Sequence, residues 1–204
     1  MSTIKKLLFF IVIILVLNIL IYWRALVTLE FDNLVFAECA RNSGRTSAAL
    51  NLTMLMMIGF YGSKRIFMNP AKVSTFRILA TLFTVNHLVH FFFVSLNFKS
   101  QHTPLEISEN IHGFVTFISI ILFPFAVWTI KSINTTFGIL IVIHLTNVTF
   151  LISKTFYGRY NHEDPAYLHR IGVLVMIGAV LYMLYGTLKE IFSSRRTVQS
   201  GKPE

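Results

Sequence analysis

Six stretches of this chain run close to the length of a bilayer with few or no charged side chains: residues 7–23, 46–61, 74–97, 111–130, 136–155 and 165–192. A hydrocarbon core about 30 Å thick is crossed by about 20 predominantly apolar residues in a helix. No water is present there to satisfy a backbone that is not helical. The pattern predicts an all-α membrane protein, a six-transmembrane-helix bundle. Composition agrees: 54% of residues are hydrophobic and only 13% are charged, against about 25% in a soluble domain. So few charges could not cover a water-soluble globule of this apolar content. A disordered chain, a collagen-like or coiled-coil rod and a disulfide scaffold are excluded as well, the last because Cys39 is the single cysteine.

The first run follows Lys5 and Lys6 and imitates a signal peptide. It is longer than a hydrophobic region of about 7–15 residues, and no small-x-small site follows it. It is expected to be retained, with Tyr22 and Trp23 at the interface. Residues 24–45 break the pattern with Glu30, Asp32, Asn33, Glu38, Arg41 and Asn42. Phe31, Leu34, Val35 and Phe36 there suggest a connection lying on the membrane surface. The second run ends at Gly62-Ser63-Lys64-Arg65, and Pro124 predicts a kink in the fourth. The sixth is longer than a bilayer needs, so its last turns leave the membrane. Residues 1–192 read as a single transmembrane domain without internal repeats, and 193–204 as a polar, disordered tail.

The net charge of +9 is a topology signal. The N-terminus, the second and fourth connections and the tail carry eleven basic residues against Glu190 and Glu204. The opposite side carries seven basic residues against seven acidic ones. Lysine and arginine collect in cytoplasmic loops, which predicts both termini cytoplasmic in a multi-pass protein of the plasma (inner) membrane. The basic excess then requires no nucleic acid as partner.

Ionisable residues at membrane depth are costly and mark function by default. Here they are histidines. His87 and His90 lie in the middle of the third run at i, i+3 spacing, hence on one helical face. His144 lies in the fifth run. His112 and His169 lie near the outer ends of the fourth and sixth, and His102 and His162 in outer loops. Imidazoles on separate helices facing a bundle interior suit haem, whose iron takes axial ligands from opposite sides of a flat macrocycle. Phe, Ile and Leu would wall it, and Arg77 and Lys64 at the inner end could meet its propionates. The competing reading of each histidine is an interhelical hydrogen bond. The chain has no His-Glu-x-x-His motif, no Gly-rich phosphate loop, no nucleophile elbow and no flavin or nicotinamide domain.

Several segments together resemble the ferric reductase-like transmembrane family, and more narrowly the haem-binding membrane subunits of bacterial methionine sulfoxide reductase systems. Ser43-Gly44-Arg45-Thr46-Ser47-Ala48-Ala49-Leu50 is similar to that family's Gly-containing helix opening. A basic loop from Lys64-Arg65 to Arg77 follows, then a helix with central His87 or His90. Gly113-Phe114-Val115-Thr116-Phe117 with Pro124, and Ile143-His144-Leu145, resemble the next two helices. The likeness covers residues 43–157. It implies a haem b between the third and fifth helices, with His87 or His90 and His144 as axial ligands to the iron and His169 held in reserve. The family commonly has a further histidine about 13 residues after the first on the fifth helix; that position is Tyr157. The resemblance therefore does not extend to a second haem. Electrons would come from a quinol or a separate redox protein.

The outer rim between the fifth and sixth runs carries Arg159, Tyr160, His162, His169 and Arg170. It reads as an interfacial belt of snorkelling cations, with a quinone or partner site as the alternative. Asp164 and Pro165 read as helix cap and first helical residue. The expected function is a membrane b-type cytochrome, a haem-dependent transmembrane oxidoreductase or its electron-transfer subunit. The alternatives are a non-redox polytopic protein (transporter, lipid-binding or assembly subunit) and a lipid-acting enzyme using the outer histidines as acid–base groups, which Glu163 or Asp164 would have to orient.

Overall fold

The computed structural model describes residues 2–29, 32–104, 110–130, 134–158 and 166–199. Among them there is no strand. The elements are α1 (Thr3–Thr28), α2 (Asp32–Tyr61), α3 (Ser63–Met68), α4 (Pro70–Ser100), α5 (Ile111–Thr129), α6 (Thr135–Gly158) and α7 (Ala166–Gln199). Local chemistry accounts for several helix starts. Ser2 Oγ accepts from Lys5 N–H at the head of α1. Asn69 Oδ1 accepts from the N–H groups of Ala71 and Lys72, with Pro70 at the first position of α4. Asn134 Oδ1 accepts from Phe137 N–H at the start of α6. His102, at φ 53°, is the left-handed residue that closes α4.

Among the described residues five helices are long and apolar enough to cross a membrane: α1, α4, α5, α6 and most of α7. The sixth expected span, 46–61, belongs to α2 and is not among them. Ser47, Asn51 and Thr53 dilute its apolar content. One expectation is corrected. The segment 24–45, read as a connection, is mostly helical, because α1 continues to Thr28 and α2 begins at Asp32 and runs unbroken to Tyr61. The helix keeps its polar groups satisfied internally: Glu38 pairs with Arg41 at 2.7 Å and accepts from Asn42 at 2.7 Å. The connection after Tyr61 contains α3. At the far end, α7 continues to Gln199. The Asp164–Pro165 cap, Arg159, Tyr160, His162 and residues 200–204 lie outside the described residues.

The chain divides into two compact units. The first comprises residues 1–50 and 77–127. Its buried residues include a cluster of Ala25, Val35, Cys39, Ala40 and Phe93 and another of Ile14, Ile78 and Leu82. Pro124 sits inside α5 and has no N–H for the carbonyl of Ile120. That carbonyl instead accepts from Thr84 Oγ1 of α4 at 2.8 Å. Near the end of α5, the Val127 carbonyl accepts from Arg77 Nε at 3.1 Å. Arg77 thus holds a helix terminus.

The second unit comprises residues 51–76 and 128–204. It buries Met54, Leu55 and Ile58 of α2, Ile66 and Phe67 of α3, Ile141, Leu145 and Val148 of α6, and Met176 and Met183 of α7. Asn51 Nδ2 donates to Thr149 Oγ1 at 2.7 Å, and that hydroxyl donates to Leu145 O. Between α2 and α7 the backbones touch: a Cβ on Gly186 would lie 2.5 Å from the Gly59 carbonyl oxygen.

Candidate functional site

The first unit contains a buried polar chain that joins three helices. Asn86 of α4 is fully buried. Its Nδ2 donates to Ser43 O and to Ser47 Oγ of α2, both at 2.8 Å. Its Oδ1 accepts from Asn18 Nδ2 of α1 at 2.9 Å. Asn18 also donates to Ile14 O, while its own Oδ1 is buried without a partner. Spacing explains the convergence: Ser43 and Ser47 are one turn apart on α2, as Asn86 and His90 are on α4.

His90 extends this chain. Its Nδ1 lies 3.2 Å from Ser43 Oγ. The Ser43 hydroxyl has one proton, which it gives to Cys39 O at 2.7 Å. With the hydroxyl proton on that carbonyl, His90 would donate from its Nδ1–H tautomer and leave the lone pair on Nε2. Gly44 is what lets the ring approach. A Cβ there would meet His90 Cε1 at 3.0 Å.

His87 has a different environment. Its ring lies 5.5 Å from the Phe83 ring, 6.1 Å from Phe117 of α5 and 5.4 Å from His90, centre to centre. Phe91 and Phe117 stack at 4.3 Å beside it. Its Nδ1 is buried and has no hydrogen-bond partner. A buried polar atom left unpaired is uncommon and costly, and local structure does not account for this nitrogen, as it does not for Asn18 Oδ1.

The remaining histidines lie on other elements. His144 is half-buried in α6 of the second unit, one residue before fully buried Leu145. His169 is buried near the start of α7, edge-on to Phe156 at 5.8 Å. His112 is exposed, and exposed His102 serves as the helix end described above. Among the described residues there is no group of three or more His, Cys, Asp or Glu able to hold a metal ion. Haem iron asks for only two imidazoles, and a buried ring nitrogen without a hydrogen-bond partner, such as His87 Nδ1, is one that could be given to such a group. Asn18, Asn86, Ser43 and Ser47 were not singled out by sequence reasoning. An asparagine inside an otherwise apolar run was the available signal.

Compared with protein families, with characterised proteins and with solved structures, the chain matches none.

Proposed function

We propose that this chain is a membrane b-type cytochrome that passes electrons through histidine-held haem b. The observation carrying this reading is the buried, unpartnered Nδ1 of His87 among phenylalanine rings. His90, held through Nδ1 by Ser43, is the neighbouring imidazole, and that bond is of the kind that orients metal-ligating histidines. His144 of α6 would be the other imidazole, on the sequence pattern alone. His169, packed on Phe156, is a reserve. Bound haem would supply one-electron chemistry. The chain's part is to hold the imidazoles in fixed tautomers and to exclude water with Phe83, Phe91 and Phe117. The donor is a quinol or a separate redox protein. The accompanying topology is six spans, with α2 as the second, both termini cytoplasmic, in the plasma (inner) membrane.

The test is the visible spectrum of the purified protein, oxidised and reduced, made with ample haem. A Soret band that weakens in His87→Ala and His144→Ala is expected. No band, or a band unchanged in both variants, removes the reading. A non-redox polytopic protein is then favoured by a specific observation: Ser43 and Asn86 already give His90 a structural role in joining α2 to α4.

A further inference from the structure

The second unit has a cavity of about 560 Å³ where the ends of α2 and α7 meet α3. Such volumes are typical of ligand sites. Lys64, Arg65 and Lys189 line it, with Tyr61, Tyr182 and Tyr185. Its single carboxylate, Glu190, is turned to the protein: it accepts from Ser63 Oγ at 3.0 Å and from Arg65 N–H at 3.3 Å. Gly62, at φ 76°, makes this possible, since a Cβ there would lie 2.7 Å from Glu190 Oε1. Three cations thus face one committed anion, beside tyrosine hydroxyls able to donate. The rim is apolar and exposed: Phe60 and Met68 are each 67% accessible.

We propose that this cavity binds the phosphate headgroup of an anionic phospholipid. Basic pockets between membrane helices recognise such headgroups. A phosphate alone would use the cations and hydroxyls but leave the apolar rim unused, whereas a phospholipid lays its acyl chains there. The ends of α2 and α7 that form the cavity also belong to the side of the sequence with the basic excess. The site is independent of haem.

The experiment is native mass spectrometry of the full chain in neutral detergent, titrated with phosphatidylglycerol or phosphatidylcholine. Wild type is expected to retain phosphatidylglycerol selectively. Each cation neutralised should weaken retention about fivefold, and the Lys64→Gln/Arg65→Gln/Lys189→Gln variant on the order of a hundredfold. An unchanged melting temperature without lipid shows that the variant is folded. Should it not fold, Lys189→Gln alone, at an exposed position, should still show the about fivefold loss. Equal retention of both lipids by wild type, or undiminished phosphatidylglycerol retention in a folded variant, overturns the site. Inorganic phosphate is the third arm. Failure of millimolar phosphate to displace the lipid supports a lipid ligand, and ready displacement overturns it in favour of a soluble phosphate.

Discussion

The ring Nδ1 of His90 lies 3.2 Å from Ser43 Oγ, across the face of α2 that carries Gly44. Removing the acceptor in Ser43→Ala should release the tautomer and cost about 1 kcal/mol. Nitrogen-15 NMR of labelled histidine checks the first outcome: His90 should be Nδ1-protonated in wild type and mixed in the variant. Gly44→Val should displace the ring and cost more, because the added carbons meet it at contact distance.

Thr84 and Pro124 are coupled through the Ile120 carbonyl. Thr84→Val leaves that carbonyl buried and unpaired, for an expected loss of about 1–2 kcal/mol. In a Pro124→Ala background the residue at 124 regains an N–H, and an intrahelical bond can form. Thr84→Val should then be nearly neutral. Equal costs in both backgrounds, measured by unfolding in mixed micelles, would show that Thr84 does not serve this carbonyl.

Asn86 and Asn18 should rank unequally. Asn86→Leu removes three hydrogen bonds and strands groups on α1 and α2, and an expected cost of about 2 kcal/mol follows. Asn18→Leu removes two bonds together with an acceptor that is already unpaired, so its cost should be smaller. The same micelle unfolding series gives the order.

Gly62→Ala should lower stability by about 1–2 kcal/mol through its left-handed backbone and through Glu190. Glu190→Gln keeps one acceptor oxygen and should cost less than Glu190→Ala. Melting temperatures of the three variants test this ranking.

Cys39 is fully buried. Buried structural thiols are inert, so a maleimide should label it only after unfolding in SDS. Rapid labelling of the native protein would show that the Ala25–Val35–Phe93 cluster does not close over it.

The helical runs were legible because hydrocarbon permits few backbones, and their apolar stretches announce themselves locally. The start of α2 was not legible. Asp32 to Asn42 looks like a polar loop until Glu38, Arg41 and Asn42 are seen to satisfy one another along a helix. The six-residue α3 was hidden for a different reason: the carboxylate that accepts from its Ser63 hydroxyl and its Arg65 N–H lies on α7, more than a hundred residues away. His87, His90 and His144 were visible as polar residues inside apolar runs. What distinguishes His90 from His87 was invisible, because Ser43 reads as an ordinary small polar residue in the sequence.

The sequence by itself determined a helical, membrane-compatible chain, its apolar runs and the place of His87, His90 and His144 within them, since each follows from solvent and from spacing along one helix. Only the tertiary structure decided which polar groups pair: Ser43 with His90, Thr84 with Ile120, Glu190 with the head of α3. Those choices depend on which helix faces meet, and helix contacts join residues that no local pattern connects.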